Sequence, residues 1–177
     1  MRNTILSIGL LSLLGCSSYQ PIKVEKYVDL DRFMGDWYVI ANIPTFIEEG
    51  AHNAIETYEK NKDGTIATTF TFNADSFDGD IKKYHPVGFV KDDKSNAIWD
   101  MQFLWPFKSD YRILYVDKNY KHTIIGRIKR DYVWVMSRTP KITDEEYKNL
   151  IRIIKDSNYD VSKIMRVPQQ SLKDREK

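Results

Sequence analysis

The sequence predicts a mostly β chain: eight strands closing as an up-and-down antiparallel barrel, with one C-terminal α-helix packed on the outside. Three observations carry this. Aromatic residues make up 13% of the 177, among them eleven Tyr and four Trp, and they cluster in short runs with Val, Ile and Thr, residues that suit a pleated, half-buried surface. Strand-like runs recur eight times, over 36–43, 53–60, 65–73, 82–91, 97–104, 110–116, 122–127 and 132–137. Eight is the number at which such a barrel encloses side chains or one small ligand. Between the runs lie Lys62-Asp63-Gly64 and Asp78-Gly79, residues that accept the positive φ of tight antiparallel connections.

The helix has its own signature. After Ser137 the pattern changes to Thr139-Pro140, then Thr143 with Glu146 three residues on, a capping box. Tyr147, Leu150, Ile151 and Ile154 follow at helical spacing with Lys148, Asn149, Arg152 and Lys155 opposite, so the apolar side faces the barrel wall. Asn158 is the expected stop, and 161–167 reads as a last short strand.

Length and composition permit one domain and no second one. Lys and Arg number 27 against 25 Asp and Glu, a net charge of +2, which supplies no long-range field for nucleic acid. The single cysteine, Cys16, rules out an intramolecular disulfide, so the domain depends on its core.

The first residues are a separate object. Arg2 precedes an apolar run from Ile5 to Leu14 that is short for a retained membrane span and reads as a signal peptide over 1–15. Its end, Leu13-Leu14-Gly15-Cys16, resembles the lipobox of bacterial lipoproteins. That resemblance implies cleavage before Cys16, acylation of its thiol and new amine, and, with Ser17 following, sorting to the outer membrane, here placed on its periplasmic face. The alternatives are that Cys16 is an ordinary small residue ending an N-terminal hydrophobic segment, or that the segment is an uncleaved anchor. A lipidated tether is then expected over 16–26, the barrel domain over 27–169 and a disordered tail over 170–177.

Three segments resemble the lipocalin family. Gly35-Asp36-Trp37-Tyr38 is similar to the G-x-W motif that opens the family's first strand. Val116-Asp117-Lys118-Asn119-Tyr120 is similar to the turn between its sixth and seventh strands, with Lys118-Asn119 in place of the usual Thr-Asp. Ser137-Arg138-Thr139-Pro140 resembles the arginine segment ending the eighth strand. Their order and spacing agree, and the lipobox narrows the match to bacterial lipocalin lipoproteins. Physically, a Trp at the closed end of a barrel needs a cover. Arg138 stacked on Trp37 supplies one, with a cation–π term of roughly 0.5–2 kcal/mol, while Gly35 allows close backbone approach.

Trp37 sets the inward parity of the first strand as Trp37, Val39 and Ala41. With the family register where alternation is ambiguous, the expected ligand wall is Glu56, Thr68, Phe70, Tyr84, Trp99, Met101, Phe103, Tyr111, Ile113, Tyr115 and Trp134. A dry, filled core is the alternative for each of them. The wall suits a fatty acid or lysophospholipid, with tyrosine hydroxyls orienting a polar end. Glu56 stands out, because an inward carboxyl is costly unless paired or near water. It reads as a head-group anchor, or else the register shifts by one and turns Ile55 inward.

Catalytic and metal signatures are missing from the sequence. His52, His85 and His122 are scattered, and no H-E-x-x-H or G-x-S-x-G occurs. Asp75, Asp78 and Asp80 lack calcium-loop spacing, and the basic stretch 127–131 reads as a solvated hairpin. No cofactor, metal or enzymatic activity is therefore expected. Two classes remain, a carrier of hydrophobic ligands and an envelope lipoprotein that uses the barrel structurally or catalytically. A homodimer is left open.

Overall fold

A computed structural model describes residues 19–175; Cys16 and the signal segment lie outside them. Asp29 caps a single helical turn, α1 (Leu30–Phe33), accepting from the backbone N–H of Asp31 and Arg32, and drives Phe33 into the barrel base with no exposure. The wall follows as β1 (Gly35–Ile43), β2 (Ala51–Lys60), β3 (Ile66–Ala74), β4 (Ile81–Tyr84), β5 (Val87–Val90), β6 (Ile98–Leu104), β7 (Phe107–Val116), β8 (His122–Gly126) and β9 (Val133–Ser137). Each strand pairs antiparallel with its neighbour, and β9 returns to β1. The barrel is closed, with eight strands in its wall, because β4 and β5 share one place in it.

The expected run 82–91 is broken at His85-Pro86. Proline has no N–H for the ladder, so β4 pairs with Phe70–Asn73 and β5 with Ile66 and Ala67. The gap is bridged by the Pro86 carbonyl, which accepts from the Thr68 N–H at 3.1 Å.

Two bulges change which side chains face inward. The β1–β9 register shifts between Val39 and Ala41, so Ala41, expected inward, packs in the outer cluster while Asn42 turns towards Glu48. In β7 the shift falls between Ile113 and Tyr115. The extra residue reverses parity, and Tyr115 packs with Leu114 and Ile124 against the outer cluster instead of lining the interior.

Helix α2 (Asp144–Asp156) starts at the Thr143/Glu146 capping box. It presses Leu150 and Ile154, both buried, onto the outer faces of Ile40, Ile124, Val133 and Val135. Asn158 ends it in the left-handed conformation, φ 64°.

Beyond α2 the segment expected as a strand over 161–167 forms a 3-10 turn (Val161–Lys163) and a two-residue strand, β10 (Met165–Arg166), on Ala41 and Asn42. It has a task in the wall. β1 pairs with β2 only from Gly35 to Tyr38, and past that point the strands part. The strap fills the seam: Val167 N–H donates to Ile40 O, Gln169 Nε2 donates to Val39 O at 2.7 Å and Ala54 O at 3.0 Å, and Gln170 and Asn53 bond each other reciprocally. Gln170 was expected in a disordered tail, whereas it is held here, and Leu172–Arg175 form a further short helix.

The connections sort to two ends. The closed end holds α1 and the β2–β3, β5–β6 and β7–β8 turns; the open end holds the β1–β2, β3–β4, β6–β7 and β8–β9 connections. The N-terminal segment runs between the ends. Arg130, in the β8–β9 connection, holds the carbonyls of Gln20 and Pro21 at 2.9 Å each, Glu25 N–H bonds Ile113 O, and Val28 N–H reaches Ser95 O at the closed end. Ile22 is buried. Residues 20–26, expected as tether, are thus attached to the barrel side.

Candidate functional site: a cavity under the open end

The closed half of the barrel is solid. Phe33, Trp37, Tyr58, Trp99 and Tyr111 form one aromatic stack, with ring centroids 5.2–6.4 Å apart. Trp37 is fully buried and its Nε1 donates to Phe33 O at 2.8 Å. The Arg138 guanidinium lies 3.8 Å from the Trp37 ring centre and donates to the carbonyls of Arg32, Phe33, Met34 and Asp36 at 2.7–3.0 Å. Burial pulls its pKa down to about 10. Gly35 has φ 89°, a conformation that favours glycine, whereas a Cβ there would meet Arg138 Nη1 only at an ordinary contact distance of 3.5 Å, so it is the backbone turn and not a close approach that calls for the glycine.

Above this floor the barrel is hollow. A cavity of about 430 Å3 opens at the loop end, within the usual range for small-molecule sites. Of the expected wall, Glu56, Phe70, Tyr84, Met101, Phe103, Tyr111 and Trp134 line it. Thr68, Trp99 and Ile113 face inward but lie in packed core: Thr68 Oγ1 meets Met101 Sδ at 3.9 Å, Trp99 stacks on Tyr111, and Ile113 is fully buried. Tyr115 is outside.

Two groups were missed. The β1–β2 connection folds over the mouth and brings Thr45, Phe46, Ile47 and Glu48 to the cavity, and Arg127 and Asp110 reach it from the β8–β9 and β7 side. Glu48 falls between the predicted strands 36–43 and 53–60, so period-2 alternation assigns it no face. Only the proximity of an inward Trp134, whose indole needs an acceptor, hints at a partner.

The electrostatics centre on two buried carboxyls. Glu48 Oε2 accepts from Thr45 N–H at 2.9 Å and Thr45 Oγ1 at 2.7 Å, and Oε1 from Trp134 Nε1 at 2.7 Å. Burial raises its pKa, and these bonds with that from Asn42 oppose the rise. Glu56 faces the interior as expected, paired with Trp37 across β1–β2, while Ile55 packs outside. Its carboxyl takes the Tyr58 hydroxyl, which also meets the Tyr111 hydroxyl at 2.7 Å. Desolvation, then repulsion from Glu48, pushes Glu56 up to about 8. Glu48 has donors on both oxygens, which favour its charged form against the burial that raises it, whereas Glu56, pushed up to about 8, keeps its proton at neutral pH. The cavity floor is therefore neutral and polar. Arg127 is the only cation among the lining residues, and its buried Nε has no partner among the described residues.

Nothing in this arrangement resembles a nucleophile with its base. His52 bonds Gly50 O, His85 meets Thr69, and His122 lies between Asp117 and Glu146 on the far side of the wall. No cluster of three or more His, Cys, Asp or Glu suited to a metal occurs among the described residues.

Comparisons with known proteins agree with this geometry. The profile of the family described as "Lipocalin-like domain" matches residues 28–169. Temperature-induced lipocalin-1 of Arabidopsis thaliana is 32% identical over 159 residues, covering 85% of this chain and 84% of its own. The outer membrane lipoprotein Blc of Citrobacter freundii is 30% identical over 161 residues, covering 89% and 90%. Among solved structures, the cockroach allergen Per a 4 superposes with a TM-score of 0.66 at 16% identity, over 86% of this chain and 96% of its own, a likeness of fold.

Proposed function

The chain belongs to the lipocalin family, to the type represented by the bacterial lipoprotein Blc, and on that premise we propose that it is a lipid-anchored binding protein of the cell envelope. It holds a fatty acid or lysophospholipid, as carrier or store, and is not an enzyme. The observation that carries this is the cavity at the open end, with apolar walls from Phe70, Met101, Phe103 and Trp134. Burying a dozen methylenes at about 0.8 kcal/mol each exceeds the several kcal/mol of freedom the ligand loses.

The acyl chain points down and the head stays at the mouth. A carboxylate placed on the floor would meet Glu56 without a cation nearby, whereas the open end carries Arg127, the one cation of the lining, whose guanidinium is shared there with Asp131 and the Tyr132 ring and could turn to an anionic head. The anchor is Cys16, and the Blc relatives, named as outer membrane lipoproteins, support the outer membrane as its place; the periplasmic side is part of the proposal and follows from the lipobox reading alone. Acyl chains on both thiol and amine make such attachment stable, since one chain alone is marginal.

Titration calorimetry against long-chain fatty acids and lysophospholipids tests the reading. Wild type is expected to bind saturably with one site, Phe70→Glu and Met101→Arg to lose binding by at least tenfold, and all three to melt cooperatively. Folded cavity variants that bind as well as wild type would sink it.

A further inference from the structure

The end of the barrel that carries the cavity mouth is also the end that exposes apolar side chains. The five most exposed large apolar residues among those described, Phe46 (84%), Trp105 (81%), Ile81 (74%), Phe107 (72%) and Leu104 (70%), all stand on open-end connections or on a strand residue directly flanking one. Phe46 and Leu104 line the same cavity from opposite sides, so the patch forms a rim around the opening. Apolar side chains scattered singly are normal, but a cluster rimming a pocket marks a contact surface, and Trp beside Phe and Leu is the composition that settles at the level of lipid headgroups.

The path of the N-terminal segment identifies the surface it meets. Arg130 clamps Gln20 and Pro21 at this same end, and Lys129 stands 5.9 Å from the ring of Tyr19. Gln20 is the fourth residue after Cys16, a reach of at most about 14 Å. A barrel whose ten-residue β2 is on the order of 33 Å long cannot turn its closed end to a membrane on so short a lead. That would require the bonds of Gln20, Pro21 and Glu25 to the barrel side to break.

We propose that the open end docks on the bilayer, with the rim of Phe46, Leu104, Trp105 and Phe107 seated among the headgroups beside the acylated Cys16, so that the cavity opens onto the lipid itself. This rests on the lipid-anchor reading of Cys16. A ligand then passes between bilayer and cavity without crossing water, and the rim is exposed to solvent only when the domain lifts off.

Trp105 reports on this directly. The intact protein, purified from membranes and weighed by mass spectrometry to count its acyl chains, is reconstituted in vesicles of phosphatidylethanolamine and phosphatidylglycerol (3:1) with brominated acyl chains. Subtracting the spectrum of Trp105→Phe isolates the rim tryptophan from the other three. The expected result is at least twofold quenching of Trp105 by bromine placed near the headgroups, together with protection from aqueous iodide. Trp105 open to iodide and untouched by bromine on an acylated protein overturns the docking and leaves the anchor standing. Quenching by bromine on a chain without acyl groups supports the docking and overturns the anchor. Protection from iodide without bromine quenching means that another protein surface covers the rim, which also overturns the proposal.

Discussion

Glu56→Gln is expected to make the protein more stable above pH 8 by several kcal/mol and to flatten its stability across the neutral range. The unfolded chain releases the Glu56 proton near its ordinary value of 4.5, whereas the folded chain holds it to about 8. Between these values the native state binds the extra proton, so wild-type stability is fully present below about pH 4.5, falls as pH rises, and levels off beyond about 8. The displacement corresponds to a penalty on the order of 5 kcal/mol at alkaline pH. Glutamine accepts the Tyr58 hydroxyl without ever ionising and avoids the penalty. Glu48→Gln should act on the same titration from a distance: it removes the like charge and moves the Glu56 midpoint to lower pH. Thermal melts from pH 4.5 to 9.5 check both, and a wild-type profile that is flat through this range and identical to that of Glu56→Gln would rule out a protonated Glu56.

Trp37→Ala is the second large effect, an expected loss of about 3–5 kcal/mol. Its ring contacts Phe33 and lies under Arg138, and its Nε1 satisfies Phe33 O; removing it opens a hole where the aromatic stack meets its cover. Arg138→Ala is expected to cost less, because the carbonyls it binds lie near the surface and water can replace part of the loss. The double mutant should fall short of the sum, since each single change already breaks the stack. Urea unfolding measures all three, and a Trp37→Ala protein with wild-type stability would mean that the closed end is held by other contacts.

Much of the barrel is legible in the sequence because period-2 alternation and turn chemistry are local properties. The capping box at Thr143 and Glu146 and the stop at Asn158 are local for the same reason. The bulges are not. Around Ile40 and Leu114 both faces of the wall are buried, one by the interior and one by α2 and the N-terminal segment, so the sequence is apolar through the parity change and does not mark it. Ala41 and Tyr115 were misassigned on that account. Thr68, Trp99 and Ile113 illustrate another limit: alternation states which face a residue occupies, not how deep it lies, and the aromatic stack places these three in packed core rather than along the cavity. Glu48 escaped because its partners, Thr45 and Trp134, are respectively three and 86 residues away, and only the closed barrel brings the distant one into range.

The strap at residues 165–170 has a consequence for the order in which the chain can mature. During synthesis β1 appears early, yet its partners β9 and β10 arrive last, so one strand waits unpaired along most of its length while some ninety residues are made. Closing so long a loop is entropically slow. The barrel therefore completes only after residues 165–170 are available, and a ribosome or translocation channel that still holds them also holds the seam between β1 and β2 open.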